Sequence, residues 1–304
     1  VKIASVPLFL AISVLLCPGT RGETGIPMAM VGGKSHVTVT IGGVVIPEIL
    51  LDTGFAFDGA MIYNPDYRDS LDLAGAIEVQ IGGAGGGDAS TAMMLDSASF
   101  YLGDVEMTGQ RILVLNGDRY KGFPSNGIIG YSIFGHHVTE LDNDGDAMVL
   151  HPAGWAPADS GWAAIPLYFK DNAIPWLDAS VSIGGEEPVK LSMYIDYAAG
   201  DPVLLLEKPG MKFRLPEHTE GAHLGRGLSG DVYGKKGAIS RLIIGPYEMK
   251  GVTASFAPAG VRSKQPGADG ILGVGSLRRF DLIFDYAGKK LYIRPNGLFE
   301  ESND

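Results

Sequence analysis

Short stretches of alternating apolar and polar residues recur along the chain, separated by glycine-rich turns. Alternation with period two buries one face of a β-strand. His36 to Ile41 and Leu177 to Ile183 read this way, and they lead into the pairs Gly42-Gly43 and Gly184-Gly185. A second strand is predicted after each pair. These strands end in the apolar runs Ile49-Leu50-Leu51 and Met193-Tyr194-Ile195, and each run meets an aspartate, Asp52 or Asp196.

The parallel between the two stretches extends further. Asn126-Gly127-Ile128-Ile129-Gly130 matches Asp269-Gly270-Ile271-Leu272-Gly273, and Met148-Val149-Leu150-His151-Pro152 matches Leu291-Tyr292-Ile293-Arg294-Pro295. The aspartates are 144 residues apart, the closing glycines of the second pair 143, and the closing prolines 143. Three landmarks in one order at nearly one offset indicate an internal repeat. Two aliphatic residues before a glycine predict a strand lying tightly beneath another backbone. Short helices are expected after it, over Ser132 to His137 and Ser276 to Phe280. A hairpin then follows, turning at Asp142-Asn143-Asp144-Gly145 in the first half and at Ala287-Gly288 in the second. Trp155 to Trp162 reads as the linker, which puts one lobe at 23–158 and the other at 159–304.

Composition agrees with a β-rich globular protein of two domains: 304 residues with 44 glycines and 19% charged residues. A net charge of −11 argues against nucleic acid and against an anionic membrane surface as partners. Residues 1–22 read as a secretory signal, with Lys2 at the basic end, an apolar stretch from Ile3 to Leu16, and Thr20 and Gly22 before a cut at Glu23. The stretch is short for a membrane span. The single cysteine, Cys17, lies inside it, in a context that matches a lipoprotein cleavage site poorly. A mature chain without cysteine suits a bacterial periplasmic or secreted protein. Glu23 to Val31 is too short for a substantial inhibitory propeptide.

The candidate chemistry sits at Asp52-Thr53-Gly54. A carboxylate ending a buried strand is costly unless it is paired and hydrogen-bonded. Gly54 lets backbone N–H groups approach the carboxylate, and the Thr53 hydroxyl can donate and accept together. As a bare tripeptide this is also an ordinary strand-to-turn junction. Within the repeat, it resembles the active-site loop of aspartic proteases of the pepsin and retropepsin type. The resemblance covers the whole chain after residue 22 and lies closest to a tandem retropepsin of the exported bacterial kind. It implies an all-β fold of two similar β-barrel-like lobes about a pseudo-twofold axis. It also implies that Asp52 and Asp196 form a catalytic dyad, with Thr53 and Gly54 shaping the loop and the aliphatic-glycine segments locking it from below. The second loop departs from the family pattern. Asp196 is followed by Tyr197-Ala198, where a small hydroxyl residue and a glycine are expected. Tyr197 cannot repeat the short interlock of two hydroxyls beneath the carboxylates, and Ala198 adds a Cβ beside one of them.

The family's mobile flaps would correspond to two glycine-rich segments at matching places, Gly82 to Gly87 and Gly225 to Asp231. The flap candidates are Gly83, Gly85 and Gly86 in the first and Gly227, Leu228 and Ser229 in the second. A hairpin tip without function is the alternative. No metal or cofactor is expected. Asp142 to Asp146 lacks the glycine and glutamate positions of a calcium loop, and His136-His137 lacks ligand spacing. Dinucleotide and nucleophilic-serine motifs are absent. Asp58 and Asp66 read as solvent-facing turn residues. The expected partner is a peptide or protein substrate, and the expected state a monomer. Three readings remain open: an aspartic endopeptidase using Asp52 and Asp196, an inactive protease-like fold that binds peptides or a partner protein, and a protease active only as a homodimer through Asp52.

Overall fold

The computed structural model describes residues 25–82, 89–118, 120–170, 173–227, 229–262 and 265–300. They build three β-sheets, with helices of only four residues. In the first half an eight-stranded sheet runs in the order Ala29–Val31, Lys34–Ile41, Val44–Leu51, Gly127–Ile129, Gly59–Ile62, Val105–Leu115, Ser90–Leu102, Ile77–Ile81. In the second half the order is Tyr168–Phe169, Pro175–Ser182, Val189–Asp196, Gly270–Gly273, Val203–Glu207, Tyr247–Pro258, Gly230–Ile244, Glu220–Gly227. Each sheet curls back on itself. Lys34–Ile41 also pairs with Ser90–Leu102, and Pro175–Ser182 with Gly230–Ile244. The expected all-β fold of two similar barrel-like lobes is therefore the observed one.

Local sequence explains the strand pairs. Gly42 and Gly43 have φ of +55° and +84°, and Gly184 and Gly185 have +62° and +78°. A two-residue hairpin with the right strand twist needs this left-handed backbone, which glycine adopts without a steric penalty. Along Val189–Asp196 the apolar Leu191, Met193 and Ile195 are buried on one side of the strand. The short helices begin at Tyr131 and Val274, immediately after Gly130 and Gly273.

The third sheet joins the halves. It runs Ile26–Pro27, Ala147–His151, Val138–Asp142, Phe280–Asp285, Lys290–Pro295, Ala163–Pro166. At its centre Glu140 pairs with Ile283, 143 residues on, flanked by Thr139 with Phe284 and Leu141 with Leu282. Those two flanking pairs exchange under a shift of 143 residues, which is the signature of a twofold axis through the central pair. One apolar core runs through this sheet into both lobes, including an edge-to-face contact of Phe134 on Phe284 at 5.1 Å. Two smaller clusters, around Tyr63 and Met61 in one lobe and around Tyr194 and Trp176 in the other, lie toward the space between the lobes.

Candidate active site

Asp52 follows directly on Val44–Leu51, whose last residues pair in parallel with Gly127–Ile129. The backbone closes a tight loop around it. Asp52 N donates to Ile129 O (2.9 Å), Phe55 N to Asp52 O (3.1 Å), and Tyr131 N to Phe55 O (3.0 Å). Gly54 N donates to Asp52 Oδ1 at 2.6 Å, the hydrogen bond that a carboxylate at a strand end requires. The second loop repeats the path. Asp196 stands opposite Gly273, Ala199 N donates to Asp196 O (3.0 Å), and Val274 N to Ala199 O (2.8 Å). Backbone groups alone make this turn, so the change to Tyr197-Ala198 leaves it in place.

The aliphatic-glycine segments pass beneath both loops. A Cβ on Gly130 would stand 2.1 Å from Asp52 O, and one on Gly273 would stand 2.1 Å from Asp201 O and 2.6 Å from Ala199 O. No side chain fits at either place.

The two aspartates face one cavity of about 430 Å³ between the lobes. A Cβ built on Gly54 would lie 2.9 Å from Asp52 Oδ1 and 3.4 Å from Asp196 Cγ, so these two atoms are within 6.3 Å of each other. Glycine at 54 leaves the space between the carboxylates open. Both side chains are partly exposed to the cavity.

Thr53, 2% exposed, ties the loops together. Its hydroxyl donates to Ile195 O (2.9 Å) and accepts from Tyr197 N (3.1 Å), the backbone groups on either side of Asp196. The reciprocal arm is different in kind. Tyr197 is fully buried and reaches away from the dyad. Its hydroxyl donates to Asn143 Oδ1 and accepts from Ser35 Oγ (3.4 Å), while Asn143 Nδ2 donates to Phe280 O (2.7 Å). The second loop is thus anchored to a strand and a turn of the first half, by a longer route than two short hydroxyls would take.

Burial pushes the Tyr197 hydroxyl up to about 12 from its ordinary 10.0, with hydrogen bonds to Ser35 and Asn143 opposing. The unfolded chain loses this proton first. The neutral hydroxyl therefore contributes fully below pH 10, and its contribution falls between pH 10 and about 12. Tyr197→Phe is expected to cost about 1–2 kcal/mol below that window, because Asn143 loses a buried donor. The deficit relative to wild type should shrink as pH rises through the window, measured by denaturant unfolding.

Behind Asp52 runs a second buried network. His36 Nδ1 lies 2.8 Å from Lys34 O and Nε2 lies 2.7 Å from Ser125 Oγ, which the Tyr63 hydroxyl also meets. A carbonyl can only accept, so Nδ1 carries the hydrogen and Nε2 accepts from Ser125. Burial pulls His36 below its ordinary 6.5 and pushes Tyr63 up, the latter reinforced by the charge of Asp52. Neutral His36 stabilises the fold fully above pH 6.5 and progressively less as pH falls below it. The unfolding midpoint should drop on acidification, and His36→Gln should show a smaller drop than wild type.

The cavity walls are aromatic and aliphatic. Tyr63 and Tyr120 approach to 5.0 Å, and Phe123 stands edge-on to Tyr120 at 5.6 Å. Tyr194, Leu224 and Val232 face them from the second lobe. Tyr120 Oη donates to Gly227 O at 3.0 Å, linking the lobes across the cavity. Gly227 lies at the end of the hairpin made by Glu220–Gly227 and Gly230–Ile244, and it lines the cavity. Ser229 is in the turn of that hairpin and is buried. Leu228, Gly83, Gly85 and Gly86 lie outside the described residues, while Gly82, just before the first glycine run, lines the cavity.

Sequence reasoning missed Tyr63, Tyr120 and Phe123. Tyr63 follows a strand whose buried end could have marked it, but the loop around Tyr120 and Phe123 has no periodicity to read. Asp66 is exposed in the first turn of Pro65–Arg68, whereas Asp58 bonds His136 at 2.9 Å. Asp142 accepts from Gly145 N (2.7 Å) and so shapes its own turn. Among the described residues no three His, Cys, Asp or Glu side chains converge as metal ligands. No helix among them is long and apolar enough to cross a membrane.

No protein family and no curated protein matches this sequence. Among solved structures it is similar to the aspartic proteinase from Irpex lacteus, with a TM-score of 0.57 and 12% identity over 92% of this chain and 99% of that one. At that identity the likeness is one of fold: the chain has the two-lobed fold of a pepsin-like aspartic proteinase.

Proposed function

We propose that the protein is an aspartic endopeptidase in which Asp52 and Asp196 share one proton. The observation that carries this reading is the meeting of the two aspartates at one cavity, with Thr53 clamping the loops. The ionised member takes a proton from a water held between the carboxylates, and that water attacks the peptide carbonyl. The protonated member bonds the carbonyl oxygen as it gains charge. The proton gained by the first carboxylate then passes to the leaving nitrogen as the C–N bond breaks. Either carboxylate alone would lack one half of this cycle.

The apolar walls suit bulky apolar side chains on both sides of the scissile bond. The Tyr120 contact to Gly227 supports a hairpin that closes over a bound peptide. The basic and apolar pattern of residues 1–22 supports export of a tandem, retropepsin-like enzyme of bacterial type to the periplasm or beyond. A second reading, a peptide-binding protein without hydrolysis, rests on Tyr197-Ala198 in the second loop.

The test is cleavage of an unfolded protein and of a peptide library, scanned from acid to neutral pH. Cleavage that depends on both aspartates is the expected result. A folded protein that cuts nothing at any pH would overturn the protease reading.

A further inference from the structure

The repeat makes the two halves of the cleft comparable position by position, and the two lobes differ in charge at the position level with each aspartate. In the first lobe His36 pairs with Leu50, so two residues further along Lys34 comes level with Asp52. In the second lobe Trp176 pairs with Tyr194, so the residue level with Asp196 is Ile174. Both line the cavity. Ile174 is apolar and 6% exposed. Lys34 is a cation, partly buried, whose Cε lies 3.7 Å from where a Cβ on Gly200 would stand. Its side chain therefore leans across to the second lobe, beside the loop that carries Asp196.

The other cation on the cavity wall is already matched. Arg226 Nε and Nη2 donate to Asp231 at 2.8 and 3.0 Å, which holds the Asp231 carboxyl down at about 2. His223 adds a third contact to Asp231 at 3.1 Å. Lys34 has no such Asp or Glu partner at ion-pair distance among the described residues. An ammonium group beside apolar and aromatic walls gains from an incoming carboxylate.

We propose that Lys34 is a specificity residue that binds a carboxylate side chain of the peptide, so that substrates with Asp or Glu at the Lys34 end of the cleft are preferred. The inference rests on the protease reading for its substrate class. An apolar residue fits the opposite, Ile174 end. The asymmetry would also set the direction in which a peptide lies in a nearly symmetric cleft.

The test uses apolar octapeptides in which one position at a time is Glu or Gln. Two readouts are taken: kcat/KM with wild type, and binding of the fluorescent peptides to the Asp52→Asn protein by anisotropy. At one position Glu should exceed Gln by about tenfold, the effect of one charge-assisted hydrogen bond. Lys34→Met should bring that ratio to about one, Lys34→Arg should keep it, and Lys34→Glu should favour Lys at the same position. Absence of any Glu preference in wild type, or its survival in Lys34→Met, overturns the proposal. A Lys34→Met protein that shifts the pH profile for Glu and Gln peptides alike, with the ratio unchanged, also overturns it and assigns Lys34 to the charge balance of the aspartates. Lys34-dependent binding of Glu peptides without any hydrolysis by wild type would sustain this proposal while refuting the protease reading.

Discussion

Asp52→Asn and Asp196→Asn should each lower kcat/KM for peptide hydrolysis by about 10³-fold or more. Asn keeps the shape of the carboxyl group and an acceptor oxygen for Gly54 N, but it can neither take a proton from water nor share one with its neighbour. The double variant should be scarcely worse than either single one, since both remove the same unit. Thermal unfolding should show folded variants, because Asn has the size and shape of Asp and keeps a hydrogen-bond acceptor. The arrangement of the variants separates the three readings left open by the sequence. Loss in both singles requires the intramolecular dyad. Survival of activity in Asp196→Asn alone would point to a dimer through Asp52. Absence of any Asp-dependent cleavage, with the wild type folded, would leave the inactive, peptide-binding reading.

Thr53→Val should destabilise the protein by about 2–5 kcal/mol and lower kcat by about 10²-fold. Valine has the shape of threonine without the hydroxyl. Ile195 O would lose its donor and Tyr197 N its acceptor, and both contacts are buried. An unsatisfied buried polar group costs about 1–3 kcal/mol. The catalytic loss follows from position, because those two groups flank Asp196 and hold it opposite Asp52. Thr53→Ser retains the hydroxyl and should retain most of both properties. Denaturant unfolding gives the first effect and single-turnover cleavage the second. A valine variant as stable and active as wild type would show that the Thr53 clamp is not needed to hold the two loops, leaving that to the six-stranded sheet and the Tyr197 and Tyr120 contacts. The contrast with Tyr197→Phe is informative, since that hydroxyl anchors the second loop to Asn143 and Ser35 and touches neither flank of Asp196.

Much of this protein is legible in its sequence. The alternation around His36 and Leu177, the Gly-Gly turns and the glycines at 130 and 273 are local signals, each imposed by a backbone that permits few residue types. Their recurrence at one offset marked two similar halves and put Asp52 and Asp196 at equivalent positions, while the twofold arrangement that brings the two aspartates to one cavity was an implication of the resemblance to pepsin-like proteases. The chain alone could not determine where a long side chain goes once the halves have met. Tyr197 reads as a lost hydroxyl in the sequence, yet it finds Ser35, 162 residues away, and Asn143, 54 residues away. Tyr120 and Phe123, from a loop without period, become a cavity wall. Lys34 carries no local signal and lines the cavity only because the strand register brings it level with Asp52. Periodicity encodes which face of a strand is buried. The partners on that face are selected by register, lobe packing and side-chain reach, which only the tertiary structure decided.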